Sequence, residues 1–479
     1  MKKLKEIISD VKIIKIVGDI NTTVEGITDN SKLVKHNYLF FAIKGISLDG
    51  HRYIDNAIQK GCKVIICSYL PNKITPAVCY IVVENIRESV YDISSKYYND
   101  PAKKIKIIAV TGTNGKTSIV FFLYNFLSSL GIKVGMLSTI ENSILDKKVK
   151  SKLTTPSPVQ LHELLDNMIK SSCEYCVMEA SSHSIDQKRI MGKDIFIGIF
   201  SNLSHDHLDY HKTFINYINT KKKLFDDLPR SSYSIINSDD KRSEYLVQNT
   251  KSKVLSYGLK KISDSKGKIV ESGTNGIKIK IDNVNVHFKI IGDFNAYNLL
   301  SVFAVGKVLK IESDIIFKNL SKLNTPNGRM DFIHGKNNVI GIIDYAHTPD
   351  ALENVLINIS RFKSEAKVIT IVGAGGDRDK SKRSEMGKIA TQYSDHVIFT
   401  SDNPRNENEE NIISDLVKGA VRKNFIIISD RKKAIQEACL NYKKDSIILV
   451  AGKGHEKYQI IGDKSIPHDD KEILKKIIL

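Results

Sequence analysis

Short, nearly unbroken apolar runs alternate along this chain with longer segments whose apolar residues are spaced for helices. Ile105–Val110 (IKIIAV) is β-branched and almost continuous, the pattern of a strand buried on both faces. Ser118–Leu130 is apolar-rich and of helix length, with Gly131 placed to end it. The alternation continues at Val134–Met136, Tyr175–Met178, Ile195–Phe200 and Tyr233–Ile236. Beyond Arg329 it restarts at Val339–Ile343, Val368–Val372, His396–Phe399, Phe425–Ile428 and Ile447–Val450. Residues 1–100 hold shorter strands and turns, such as Tyr38–Ile43 and Lys63–Cys67, and close at the linker-like Tyr97-Tyr98-Asn99-Asp100-Pro101. Strands alternating with helices predict an α/β chain with mostly parallel sheets, whose ligands sit at the carboxyl ends of the strands.

The turn after Ile105–Val110 carries chemistry. Thr111-Gly112-Thr113-Asn114-Gly115-Lys116-Thr117, running into Ser118, joins strand to helix as a phosphate-binding loop does. Backbone N–H groups freed by Gly112 and Gly115 can ring an anion at the helix N-terminus. Lys116 adds a point charge for the terminal phosphates, and the Thr117 hydroxyl can bind Mg²⁺. Only Thr113 and Asn114 separate the two glycines, where the usual pattern has four residues. A plain glycine turn is the alternative, but GKT in this setting points to ATP.

Composition narrows the class. A chain of 479 residues has room for roughly two to four domains. No window reaches the ~18–20 apolar residues of a membrane span. Glu6 and Asp10 interrupt the N-terminal apolar stretch, and no small-residue cleavage site follows, which argues against a signal peptide. Six cysteines show no zinc-ligand pattern; Cys173-Glu-Tyr-Cys176 has redox spacing but leads into an apolar strand, so packing is the better reading. A reducing cytoplasm fits. The net charge of +18 raises nucleic-acid binding, yet no basic run alternates with aromatics and Trp is absent. Scattered lysines serve anionic small substrates better.

Polar residues gather at the predicted strand ends. Glu179-Ala180-Ser181-Ser182-His183 follows one, and Ser201-Asn202-Leu203-Ser204-His205-Asp206-His207-Leu208-Asp209-Tyr210-His211 another. A carboxylate and several histidines beside a phosphate loop suggest metal and phosphate handling. The last third repeats the arrangement at Asp344-Tyr345-Ala346-His347, at Gly373–Lys380 and at Gly452-Lys453-Gly454-His455-Glu456.

In order, the segments TGTNGKT (111–117), LTTPSP (153–158), MEASSHSIDQKR (178–189), NLSHDHLDYH (202–211), DYAHTPDALE (344–353), GAGGDRDKSKR (373–383), DNPR (402–405) and GKGHEKYQ (452–459) span the chain. Together they resemble the Mur ligases, ATP-dependent amide ligases of peptidoglycan precursor synthesis, and within them the tripeptide-forming branch. The resemblance implies three domains: a UDP-sugar-binding part at 1–101, a central P-loop ATPase at 102–328 with a mostly parallel sheet, and a Rossmann-like amino-acid-binding part at 329–479. A cytoplasmic monomer is expected, with no membrane insertion and, from the charge pattern, no nucleic-acid partner. ATP would phosphorylate the D-glutamate side chain of UDP-N-acetylmuramoyl-L-alanyl-D-glutamate, and an amine would attack the acyl phosphate. Such chemistry needs positioning and charge neutralisation more than a protein nucleophile.

Residue roles follow from the same resemblance. Thr117 and Glu179 would hold one Mg²⁺, His205 would help with a second, and Lys116 would steady the transferred phosphate. Lys221, four residues before Phe225, matches a lysine that the family carbamylates, which makes it a further metal ligand. Asn295 and Asn298 match the adenine-side motif, and Arg329 and Asp344 the C-terminal contacts to phosphate and ribose. Ser31 matches the uracil-nucleotide motif, although Lys32 stands where arginine usually follows. Thr154, Thr155, Ser181, Gln187 and Arg189 match muramoyl-peptide contacts. Asp402-Asn403-Pro404-Arg405 is the form that accompanies meso-2,6-diaminopimelate, with Arg378 and Arg405 supplying positive charge, Asn403 a neutral contact, Gly452 room for backbone approach and Glu456 an acceptor for the far ammonium. A guanidinium fork suits the carboxylate that distinguishes diaminopimelate from lysine. The alternatives are the same ligation with L-lysine, or a ligase like folylpolyglutamate synthetase.

Overall fold

A computed structural model describes residues 1–45, 48–151, 153–363 and 365–479. Three α/β sheets succeed one another along the chain. In the first, Gly26–Thr28, Tyr38–Phe41, Val64–Cys67 and Cys79–Val83 are parallel, and Ile13–Val17 pairs antiparallel at the edge. Its helix Ile86–Tyr97 starts at Asn85, whose side chain accepts from the N–H groups of Arg87 and Glu88.

The second sheet is centred on Lys106–Thr111, which lies parallel between Tyr175–Glu179 and Ile195–Phe200. Val134–Leu137 continues it on one side, and Tyr233–Asn237 with Lys253–Gly258 on the other. Alternate residues of the central strand enter different cores, as the strand period of two requires. Ile108 and Val110 pack with Phe122, Leu123 and Phe126 of helix Lys116–Ser129 and with Leu299, Val302 and Phe303 of helix Asp293–Val308. Ile107 and Ala109 pack with Leu161 and Leu165 of helix Pro158–Lys170 and with Leu224 and Phe225 of helix Phe214–Asp226. A strand covered on both faces must be apolar throughout, which is why it stood out in the sequence.

Antiparallel additions border this sheet. A hairpin, Glu141–Ile144 with Lys147–Lys150, closes one edge, and a meander of Ser265–Gly273, Gly276–Ile281 and Val284–Phe288 the other. These strands carry polar residues on a solvated face and escape a search for continuous apolar runs.

The third sheet orders Val339–Asp344, Ser446–Ala451, Lys367–Val372, His396–Phe399 and Phe425–Ile427 in parallel, with Asp331–His334 antiparallel at the edge. The strand latest in sequence is thus inserted between the two earliest parallel ones. That insertion is a topological switch point, where a crevice opens beyond the carboxyl ends. Cys62, Cys67, Cys79, Cys173, Cys176 and Cys439 are buried and unpaired in disulfides. Among the described residues, no helix is long and apolar enough to cross a membrane.

Candidate active site

The phosphate loop opens directly from the central strand. Gly112 has φ +149, and a Cβ there would fall 2.0 Å from Ser201 Oγ. Gly115 has φ +87, and a Cβ there would fall 2.7 Å from Asn298 Oδ1. Both positions therefore demand glycine. The next helix begins at Lys116, two residues before the expected start, because the loop closes as the first turn forms. Lys116 Nζ arches back to donate to Gly112 O at 2.9 Å and Thr113 O at 2.7 Å. Burial lowers its pKa, while the charges of Glu179 and Asp206 act in the opposite sense. Asn114 N donates to Asn202 Oδ1 at 2.9 Å, and Thr113 N to Asn202 O at 2.8 Å, so the neighbouring strand end holds the loop.

Beyond the loop lies a cavity of about 360 Å³, lined by residues 112–118 and by strand ends of the second and third sheets. Glu179 sits on its wall, and its Oε1 accepts from Thr117 Oγ1 at 3.0 Å and Thr139 N at 2.7 Å. Lys221 reaches the loop from the helix behind it. Its Nζ donates to Gly112 O at 2.9 Å and lies 4.8 Å from the centre of the Tyr217 ring. With 1% of its surface exposed, its pKa falls well below the ordinary lysine range, first through burial and then through the charge of Lys116.

His205 is placed differently from its expected role. Its imidazole is exposed and stacks on Phe214 at 4.3 Å between centroids, outside the cavity. The chain turns inward at His207, which has φ +55, so Asp206 and His207 line the cavity instead. Burial depresses the His207 pKa, favouring a neutral ring whose nitrogen can serve as a metal ligand. Asn298 lines the cavity; Asn295 stands behind it, its Oδ1 accepting from Asn298 Nδ2 at 2.8 Å.

The third sheet supplies the opposite wall. Arg329 Nη2 donates to Thr117 Oγ1 at 3.2 Å, and its guanidinium lies 4.4 Å over the Tyr345 ring. Arg329 Nε is buried without a hydrogen-bond partner among the described residues, an unsatisfied donor beside the cavity. Asp344 Oδ2 accepts from Met330 N at 2.7 Å, and burial raises its pKa to about 6 against the pull of Arg329. Asn114 Nδ2 donates to Asp350 Oδ2 at 2.7 Å, tying the loop to helix Pro349–Phe362.

The residues matched to the muramoyl peptide converge beside Glu179. Thr155 Oγ1 donates to Glu179 O at 2.8 Å and accepts from Ser181 N at 3.2 Å. Thr154 Oγ1 accepts from Thr139 Oγ1 at 3.1 Å. Arg189 Nη2 donates to Gln187 Oε1 at 2.6 Å, and its Nη1 to Thr155 O at 3.2 Å. Ser31 lies apart, in a short turn of the first sheet where Lys60 Nζ donates to its carbonyl at 3.0 Å.

A second polar cluster forms at the ends of His396–Phe399 and Ser446–Ala451. Arg405 adopts φ +53, and its Nη1 donates to Gly376 O at 2.7 Å. Asn403 Nδ2 donates to Glu456 Oε2 at 2.9 Å. Gly376 packs so tightly that a Cβ would meet Pro404 O at 1.9 Å, and a Cβ on Gly452 would meet Asp402 Oδ2 at 2.5 Å. Arg378 is exposed on the adjoining turn. Sequence reasoning missed Lys453, Asp350 and Tyr345 as parts of this architecture; each stood inside a quoted motif without an assigned role.

Fold and site together define a P-loop nucleotide-binding α/β protein in which a third sheet faces the phosphate loop across one cavity. The family described as "Mur ligase middle domain" matches residues 110–306, "Mur ligase, glutamate ligase domain" residues 328–454, and "Mur ligase family, catalytic domain" residues 23–108. A UDP-N-acetylmuramoyl-L-alanyl-D-glutamate–2,6-diaminopimelate ligase of Cytophaga hutchinsonii is 44% identical over 480 residues, covering 99% of each chain. The same-named protein of Bacteroides fragilis is 45% identical over 481 residues, again covering 99% of each. A solved structure bearing that enzyme's name superposes with a TM-score of 0.70 at 29% identity, covering 100% of this chain and 99% of the other. The chain belongs to the Mur ligase family.

Proposed function

We propose that this protein is an ATP-dependent ligase joining meso-2,6-diaminopimelate to UDP-N-acetylmuramoyl-L-alanyl-D-glutamate, and that it works in the cytoplasm as a monomer. One observation carries the reading. The phosphate loop, Lys221 and Arg329 meet around a single cavity, and the curated relatives' names supply donor and acceptor. We divide the chain into a UDP-sugar-binding part at 1–101, an ATPase part at 102–328 and an amino-acid-binding part at 329–479.

The D-glutamate side-chain carboxylate attacks the γ-phosphorus of ATP; ADP leaves and an acyl phosphate forms. The amine of the diamino acid then attacks the acyl carbon, expelling phosphate and losing a proton as the amide forms. Lys116 and the loop N–H groups neutralise the phosphates during transfer. Arg329 contacts phosphate, Asp344 the ribose hydroxyls, and Asn295 with Asn298 shape the adenine side. Thr154, Thr155, Ser181, Gln187 and Arg189 hold the muramoyl peptide, and Ser31 the uracil nucleotide.

Mg²⁺ fits the hard oxygen donors of Thr117 and Glu179, which already touch at 3.0 Å. Phosphate oxygens and a carbamylated Lys221 would complete its ligands. Bound there, the ion would neutralise charge on the phosphates. His207, on the cavity wall, takes the role first given to His205. The buried amine of Lys221 is suited to add to CO₂, releasing a proton and leaving a carbamate.

The test measures phosphate release with ATP, the UDP-muramoyl dipeptide and a panel of diamino acids. Release should require both the dipeptide and diaminopimelate. Equal turnover with L-lysine would overturn the amino-acid assignment, and release independent of the dipeptide would overturn the ligase.

A further inference from the structure

Lys453 has no role in the reaction just described, yet none of its side-chain surface is exposed. A lysine so deeply buried costs several kcal/mol unless its charge is met. It is met by two residues of the amino-acid cluster: Nζ donates to Asn403 Oδ1 and to Glu456 Oε2, both at 2.9 Å. Asn403 closes the triangle through Nδ2 to the same Glu456 oxygen at 2.9 Å, and Ile460 N donates to Asn403 Oδ1 at 2.9 Å. The Asn403 amide therefore has one permitted orientation, with its oxygen held by two donors and its nitrogen spent on Glu456.

The charge consequence is specific. Glu456 alone would present a free negative charge to whatever enters this cluster; paired with Lys453 it is neutralised. With that pair cancelling, Arg405 and the exposed Arg378 outnumber the Asp402 carboxylate beside Gly452, a positive balance suited to a terminus that carries a carboxylate beside its ammonium. With Lys453 in place, a side chain ending in an ammonium alone gains no pairing from Glu456. We infer that Lys453 is a positioning and specificity-determining residue, which fixes Asn403 and neutralises Glu456 so that a zwitterionic far end is accepted and a purely cationic one rejected. This rests on the assignment of the 402–405 and 452–456 segments to the incoming amino acid.

Lys453→Met and Lys453→Gln test it, the second keeping a donor for Asn403. In both, kcat/KM for diaminopimelate should fall ~100-fold or more through KM, because the loss removes a desolvated polar anchor. KM for ATP and for the UDP-muramoyl dipeptide should stay within about threefold, and the preference for diaminopimelate over L-lysine should shrink at least ~10-fold. Adding Glu456→Gln to Lys453→Met removes the exposed anion and should abolish any gain with lysine. An unchanged preference, an equal loss in all three substrates, or failure of both single variants to fold would make Lys453 a structural residue and overturn the inference. Failure of the parent assignment looks different: the unmutated enzyme would not prefer diaminopimelate.

Discussion

Two buried ionisable groups line the cavity at the scale of single residues. Lys221, its pKa pressed well below the ordinary lysine range by burial and then by Lys116, is a buried amine held against the Gly112 carbonyl. Lys221→Ala should be inactive, and short carboxylic acids such as acetate should restore measurable turnover by replacing a carbamate. Full activity in the variant, or no rescue in an inactive but folded one, would end that reading. Asp344 is held up to about 6 by burial. An acid raised in this way destabilises the fold once ionised, so its cost is fully present above about pH 6 and is relieved as pH falls toward the ordinary carboxylate range. Asp344→Asn should therefore stabilise the protein by on the order of 1–3 kcal/mol near pH 8 and by little near pH 4. Nucleotide affinity should fall at the same time. Thermal unfolding at the two pH values, with ATP titration, checks both halves.

The functional unit at the scale of elements is the strand end and the turn that leaves it. Gly112 and Gly115 let one such turn pass within contact of Ser201 and Asn298, and Gly376 and Gly452 do the same around residues 402–404. Arg405 leaves its strand in the left-handed region, a conformation sparsely populated by residues other than glycine. Its guanidinium is thereby aimed back at the Gly376 carbonyl. Arg405→Ala keeps the backbone cost and deletes the fork. Diaminopimelate use should drop ~10²–10⁴-fold, with the KM for ATP changed little. Steady-state kinetics with each substrate varied separately decides this, and a comparable rise in the ATP KM would place Arg405 elsewhere in the mechanism.

Contacts between the second and third sheets complete the cavity at the scale of the whole molecule. Asn114 and Asp350 meet at 2.7 Å across 236 positions of sequence, and Arg329 and Thr117 at 3.2 Å across 212. Arg361 and Asp293 add an ion pair from the same helix that carries Asp350. These links hold the third sheet against the phosphate loop, the arrangement in which both walls can grip one nucleotide. Asp350→Ala removes one of them. The KM for ATP should rise about fivefold to tenfold, as expected for losing roughly 1 kcal/mol of hydrogen bonding. Melting of the isolated folds should hardly move, because Asp350 is part-buried at a contact and not in a core. An unchanged KM would show that this link does not hold the closed arrangement.

What was legible in the sequence was local. Continuous apolar runs marked the doubly covered strands, since burial on both faces leaves no room for polar alternation, and Lys106–Thr111, Tyr175–Glu179 and Ile195–Phe200 lie where they were read. The phosphate loop was legible because its requirements, positive φ and close backbone approach, fall within seven neighbouring residues. The edge hairpin and the meander escaped because a half-solvated strand has a weaker signature. The choice between His205 and His207 escaped too: both sit in one polar turn, and only the stacking of His205 on Phe214 and the left-handed bend at His207 decide which faces the cavity. Lys453 belongs to the same class, since its meaning depends on Asn403, which the sheet order brings within hydrogen-bonding distance from 50 positions away. Local pattern determined the doubly covered strands and the phosphate loop. Tertiary structure alone decided which strand ends face each other, because inserting Ser446–Ala451 between Val339–Asp344 and Lys367–Val372 is a matter of long-range packing that no short stretch of residues encodes.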